Sequence, residues 1–125
     1  MNIIGDVKGK DLLIYDDIID TAGSVCHAVE ALKKAGAKSV IAFITHGVLS
    51  GPAVDRLNNS LLDKLYITDS CFLSPEKKAI KCVEVVSCAD ILAKVIKICH
   101  NEGSINDVIV AMRENKWFVI LLVQY

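Results

Sequence analysis

The residues best suited to chemistry lie in one short segment between an apolar run and a helix-like pattern. The segment holds Asp16, Asp17, Asp20, Thr21, Ala22, Gly23 and Ser24. A helix N-terminus presents unpaired backbone N–H groups and a positive partial charge, so a turn that leads into a helix is suited to binding a phosphate. We expect Gly23 to let the backbone approach that phosphate closely, and Thr21 and Ser24 to donate hydroxyl hydrogen bonds.

The carboxylates of the segment are suited to another part of the same ligand, because beside a phosphate they would repel it. Asp16 and Asp17 can accept hydrogen bonds from vicinal sugar hydroxyls, or hold Mg²⁺ directly or through water. Together these groups describe a site for a phosphorylated pentose. Acidic residues after a strand also occur simply as solvated turns, and Asp20, Thr21 or Ser24 could be a plain helix N-cap. The complete arrangement favours the ligand site.

Two apolar runs and a helical pattern should position this segment. Leu12–Tyr15 and Val40–Ile44 are each typical of a strand buried on both faces. Between them, apolar residues recur at helical spacing from Val25 to Ala35, and Gly36 is placed to end the helix. A strand, helix and strand of this length predict a right-handed crossover between parallel strands. Ligands of such sheets bind at the carboxyl ends of the strands.

The rest of the pattern completes an α/β fold, with a mostly parallel sheet flanked by helices. The further predicted elements are a helix at Ala53–Asn58, strands at Leu65–Thr68 and Val83–Val86, a surface connection at Ser74–Lys81, and a last helix that Ser87 caps and Asn101–Gly103 ends. The residues expected on the buried face of that last helix are Leu92, Val95, Ile96 and Cys99.

Composition excludes several classes of protein. The 125 residues are 53% hydrophobic and carry 14 basic and 15 acidic side chains, so we expect one globular domain without a nucleic-acid partner. We expect no secretory signal, and the apolar run Trp117–Val123 is too short for a membrane-spanning helix. The five cysteines form no Cys-x-x-Cys pair, so we interpret them as core residues of a cytoplasmic protein.

The segment also carries a family resemblance. Asp16–Ser24 is similar to the signature with which type I phosphoribosyltransferases bind phosphoribosyl pyrophosphate. Its flanks, Gly5–Lys10, Ala28–Ala37 and Thr45–Ala53, resemble the ribose-phosphate diphosphokinase (phosphoribosyl pyrophosphate synthetase) family, in its C-terminal domain. The resemblance runs from about Gly5 to about Ser104. It implies a partial domain of the type I phosphoribosyltransferase-like fold.

The resemblance implies an enzymatic activity and an active site of which this chain holds only one part. The family transfers the diphosphate of ATP to ribose 5-phosphate with Mg²⁺, giving AMP and phosphoribosyl pyrophosphate. By this resemblance Asp16, Asp17 and Asp20 orient the ribose hydroxyls and its Mg²⁺, and Asp20–Ser24 bind the 5-phosphate. Most of the family's ATP site lies in an N-terminal half without a counterpart here. We therefore expect an enzyme fragment that is inactive alone and that works with a partner N-terminal half or as a homo-oligomer.

The expected domain plan is a C-terminal phosphoribosyltransferase-like domain at residues 1–108 and a divergent apolar tail at 109–125. Two other functions stay open: a base phosphoribosyltransferase, and a non-catalytic regulatory domain that binds ribose phosphate. We expect His27 to be a surface or half-buried residue of its helix. For His46 a role beside the ligand or at an interface and a structural hydrogen bond are all open.

Overall fold

The computed structural model describes residues 5–114, which form one four-stranded sheet and five helices. In chain order the elements are β1 (Asp11–Ile19), α1 (Gly23–Lys34), β2 (Ser39–Gly47), α2 (Ala53–Asn58), β3 (Lys64–Thr68), α3 (Pro75–Lys78), β4 (Val83–Val86), α4 (Ala89–His100) and α5 (Ile105–Glu114). All neighbouring strands pair in parallel, in the order β1-β2-β3-β4. The predicted α/β fold with a parallel sheet and flanking helices is confirmed.

Strands β1 and β2 are longer than the apolar pattern predicted. The prediction ended β1 at Tyr15, but the ladder with β2 continues to the pair of Ile19 and Gly47. Asp16 pairs with Ile44 in this ladder, so the acidic pair lies within β1 rather than in a loop after it. The prediction was wrong because backbone hydrogen bonds to a neighbouring strand do not depend on side-chain polarity.

One face of the sheet carries the hydrophobic core. Helix α1 buries four residues against it, and α2 buries two more. The largest fully buried side chains are Ile14, Val29, Val40, Leu49, Leu65 and Ile67. Helix α1 ends at Lys34 with Ala35 as its C-cap, so the predicted cap, Gly36, is the next residue, with a φ of 94°. The Gly36 and Ala37 amides donate back to the Lys33 and Leu32 carbonyls at 3.0 and 3.1 Å, which satisfies the last turn.

The opposite face of the sheet is open, although the apolar runs predicted burial on both faces. We call it the open sheet face and define it by Tyr15, Phe43, Tyr66 and Val86. Tyr15 is 47% and Val86 50% exposed. The rings of Phe43 and Tyr66 stack with centroids 4.6 Å apart, and the four side chains line a concavity of about 220 Å³. Helices α1 and α2 both cover the core face, opposite the open sheet face.

The described residues divide into two compact units, one up to Val86 and one from Ser87 onward. In the second unit α4 contacts α5. The predicted buried face of α4 is wrong: Leu92, Ile96 and Cys99 are exposed and Val95 is half-buried. An amphipathic pattern predicts which face of a helix can be buried, but another element must pack against that face to bury it. None of the described residues buries the apolar side chains of α4 in this way.

The structure also differs from the prediction in a helix cap, a connection and the burial of the cysteines. The N-cap of α4 is Cys88 rather than Ser87, whose hydroxyl instead accepts from the Ala89 amide at 3.2 Å. The connection at Ser74–Lys81 contains α3. Only Cys82 of the five cysteines is buried, so the interpretation of all five as core residues was wrong.

None of the described helices is both long and apolar enough to cross a membrane. The apolar run Trp117–Val123 lies outside the described residues.

Candidate functional site

The predicted phosphate-binding turn lies between β1 and α1, and we call Asp20–Ser24 the phosphate loop. Ala22 is the N-cap of α1 and has left-handed backbone angles, with φ 59° and ψ 8°. No side chain caps the helix, so Asp20, Thr21 and Ser24 are not N-caps. The amides of the first helical turn therefore keep their capacity to bind an anion.

Gly23 lies beside the side chain of Arg56. Its φ lies outside the left-handed range, and a Cβ on it would lie 3.2 Å from Nη1 of Arg56. A side chain at this position would therefore be in tight contact with the guanidinium group, which would have to shift slightly. Whether a phosphate also approaches Gly23 remains a prediction.

The loop after β2 holds the phosphate loop from one side. The amides of Val48 and Leu49 donate to the Ile19 carbonyl at 3.0 and 3.2 Å, and the Ser50 amide donates to the Asp20 carbonyl at 3.1 Å. The Ser50 hydroxyl also donates to the Asp20 carboxylate. One oxygen of Asp20 is thus already hydrogen-bonded to protein.

Arg56 contacts the phosphate loop directly and was missed by sequence reasoning. Its Nη1 donates to the Thr21 carbonyl at 2.9 Å, across 35 positions of sequence. A usable signal existed, because Arg56 lies on α2, the next element after the carboxyl end of β2, and β2 neighbours β1. The carboxyl ends of parallel neighbours share one edge of the sheet.

The acidic pair lies at this edge of the sheet. The Asp17 amide donates to Oδ1 of Asp16 at 2.9 Å, and the Asp17 side chain is exposed. Among the described residues no group of three or more His, Cys, Asp or Glu side chains could hold a metal ion. Two carboxylates suit Mg²⁺ when water and substrate oxygens complete its octahedron. A Mg²⁺ held by Asp16 and Asp17 would therefore be shared with the substrate rather than enclosed by protein.

The two histidines near the site differ in surroundings. The Nδ1 of His46 lies 2.8 Å from the Ser70 hydroxyl, and Thr68 donates from its hydroxyl to the Thr45 carbonyl at 2.7 Å. His46 thus makes a structural hydrogen bond between the ends of β2 and β3. His27 is exposed on α1, as predicted.

Comparison with known proteins identifies the family. The model of the phosphoribosyl synthetase-associated domain matches residues 1–109. The ribose-phosphate pyrophosphokinase of Caulobacter vibrioides is 50% identical over 106 residues, which are 85% of this chain and 34% of that protein. That of Xanthomonas axonopodis pv. citri is 52% identical over 97 residues, 78% of this chain and 30% of the relative.

A solved structure supports the same relationship. The crystal structure of phosphoribosylpyrophosphate synthetase from Mycobacterium smegmatis superposes with a TM-score of 0.77 at 39% identity, covering 80% of this chain and 33% of that one. The chain thus spans about a third of the length of the relatives it matches. By the extent of the family match, this chain belongs to the phosphoribosyl synthetase-associated domain family.

Proposed function

We propose that this chain binds ribose 5-phosphate as one part of a ribose-phosphate diphosphokinase. This enzyme transfers diphosphate from ATP to ribose 5-phosphate and releases AMP and phosphoribosyl pyrophosphate. The observation that carries the proposal is the start of α1, where no side chain caps the helix and where Thr21 and Ser24 are exposed beside it. The names of the relatives support the same activity.

In this proposal the phosphate loop binds the 5-phosphate through the first-turn amides of α1 and the hydroxyls of Thr21 and Ser24. Asp16 and Asp17 accept hydrogen bonds from the ribose hydroxyls and hold Mg²⁺ together with substrate oxygens. Asp20 takes part with the carboxylate oxygen that does not accept the hydrogen bond from Ser50. When bound, Mg²⁺ would neutralise charge on the transferred diphosphate, while the chain's own groups orient the sugar.

We propose that the ATP-binding groups come from the part of the family protein that this chain does not match. Stabilising the charge of a transferred diphosphate requires several cations. Arg56 is the one arginine among the side chains that the structure describes, and it already donates to Thr21. We therefore propose that this chain corresponds to the C-terminal part of its relatives, with residues 1–108 as a partial domain and 109–125 as a divergent tail.

The open sheet face supports such a partner. Parallel sheets are nearly always covered on both faces, whereas Tyr15 and Val86 remain about half exposed here. The partner that we propose is the remaining two-thirds of the family protein, supplied as an N-terminal half or by assembly of like subunits. Its apolar surface would cover the Phe43–Tyr66 stack.

The site is tested by the substitution Asp17→Ala. Asp17 is exposed, so its loss should leave the thermal unfolding midpoint nearly unchanged and abolish calorimetric binding of ribose 5-phosphate to the 125-residue chain. Asp6→Ala is the matched control, because it removes one exposed carboxylate before the amino end of β1, away from the carboxyl ends of the strands. Equal affinity of the Asp17→Ala and Asp6→Ala chains would refute the site.

The products separate the three candidate functions. AMP formed from ATP and ribose 5-phosphate, after addition of the complementary polypeptide, supports the diphosphokinase. Pyrophosphate release that depends on an added base would support a base phosphoribosyltransferase instead. Binding of ribose 5-phosphate without turnover under either condition would support a non-catalytic regulatory domain.

A further inference from the structure

We propose that Arg56 is a positioning residue that sets the conformation of the phosphate loop. This inference rests on the proposed ribose-5-phosphate site. The Arg56 guanidinium donates from Nη1 to the Thr21 carbonyl at 2.9 Å. The same Nη1 lies 3.2 Å from the position that a Cβ on Gly23 would take. One side chain thus binds the residue before Ala22 and lies beside the residue after it.

The contact matters because of the conformation at Ala22. A non-glycine residue rarely adopts left-handed angles unless its surroundings hold it there. The peptide bond between Thr21 and Ala22 is planar and trans, so its carbonyl and its N–H point in opposite directions. By binding the Thr21 carbonyl, Arg56 fixes the direction of the Ala22 N–H and the path of the backbone into α1.

Among the described residues Arg56 forms no salt bridge, although Glu30 and Cys26 line the same concavity. Burial raises the pKa of the Cys26 thiol, and the positive charge of Arg56 lowers it less. Cys26 is therefore an uncharged neighbour at neutral pH. Gly23 leaves the guanidinium room to approach, so Arg56 and Gly23 should act as a coupled pair.

The experiment compares Arg56→Ala, Arg56→Lys and the control Lys38→Ala in the full 125-residue chain. Lys38 forms an exposed pair with Asp11 at the amino end of the sheet, 3.2 Å apart, so its loss changes charge equally but far from the loop. We expect Arg56→Ala to weaken ribose-5-phosphate binding about tenfold. Arg56→Lys should recover part of that affinity, and Lys38→Ala should leave it unchanged.

Two further measurements distinguish a role of Arg56 in positioning the phosphate loop from a general effect on protein stability. Amide hydrogen exchange of residues 20–26, measured without ligand, should quicken in Arg56→Ala and not in Lys38→Ala. Gly23→Ala should weaken binding in the wild-type background and much less in the Arg56→Ala background, because the guanidinium that it displaces is then gone.

The outcomes separate this inference from the proposed function. Unchanged affinity or unchanged loop exchange in Arg56→Ala would overturn the role of Arg56, as would additive effects of the two substitutions. If the wild-type chain binds no ribose 5-phosphate, the proposed site fails, and the exchange comparison alone decides whether Arg56 holds the loop.

Discussion

At the scale of single residues, Asp63 shows how one carboxylate stabilises the start of a strand. Its Oδ2 accepts from the Val40 amide at 2.7 Å and from Nζ of Lys33 at 2.8 Å. Partial burial raises the pKa of Asp63, but the hydrogen bonds from Lys33 and Val40 outweigh it and hold the pKa below its ordinary value of 3.8. The ionised form of Asp63 is therefore favoured in the folded state.

The sign of this shift predicts a pH dependence. A carboxyl with a lowered folded pKa stabilises the protein above its unfolded pKa and loses that contribution as the pH falls through the folded value. We expect Asp63→Asn to lower the free energy of unfolding by about 1 kcal/mol at pH 7, a modest figure because the pair is partly exposed.

Urea denaturation at pH 7 and at pH 3 measures this effect of Asp63→Asn. The difference from wild type should shrink at the lower pH, where the wild-type carboxyl begins to protonate. Asp6→Asn, in an exposed pair with Lys10 at 3.7 Å, is the control and should change stability little at either pH. If Asp63→Asn lowered the free energy of unfolding equally at both pH values, the charge of Asp63 would not be the cause of its stabilising effect.

At the scale of elements, the contact of β2 with β3 depends on the absence of a side chain at Gly47. A Cβ there would lie 2.7 Å from Cδ1 of Ile67, which is itself buried. The buried surroundings of Ile67 leave little room for another rotamer. The end of β2 can therefore lie close to β3 only with glycine at this position.

This packing predicts non-additive substitutions. Gly47→Ala should lower the free energy of unfolding by about 1–3 kcal/mol, as overpacking of a core does. In an Ile67→Val background the added loss should be smaller, since valine lacks the Cδ1 that clashes. Denaturant unfolding of the two single variants and the double variant gives the coupling. Additive losses would contradict the proposed clash.

At the scale of the whole molecule, the open sheet face predicts what the isolated chain does. We expect the purified chain to bind ribose 5-phosphate, to form no AMP, and to bind a fluorescent apolar dye through the exposed Tyr15 and Val86 side chains. Adding the complementary two-thirds of a relative should suppress dye binding and start AMP formation. Synthesis of phosphoribosyl pyrophosphate by the chain alone would contradict this.

Two neighbouring valines of β4 provide a matched test of that surface. Val86 belongs to the open sheet face, whereas Val85 pairs with the buried Ile67 and so lies on the opposite face. We expect Val86→Lys to weaken association with the complementary polypeptide about tenfold or more, because a charge would be buried there. Val85→Lys should not weaken it. If both variants lost co-purification with the complementary polypeptide to the same extent, the partner would not bind the open sheet face.

The sequence by itself determined the type and approximate position of most elements, and it indicated the segment that we propose carries the chemistry. Helix α2 and strand β4 have the predicted bounds, and Gly36 directly follows the C-cap of α1 with a left-handed φ. These features follow from local causes, namely apolar periodicity and the left-handed preference of glycine. The Asp16–Ser24 motif was visible for the same reason, since its residues are adjacent in the chain.

Only the tertiary structure decided features that depend on distant partners. Asp16 and Asp17 belong to β1 because β2 continues the ladder beside them. The open sheet face and the exposed side of α4 depend on where other elements pack. Arg56 reaches the phosphate loop because parallel strands bring their carboxyl ends to one edge. Each of these facts is set by contacts between residues far apart in sequence, which a pattern along one segment does not contain.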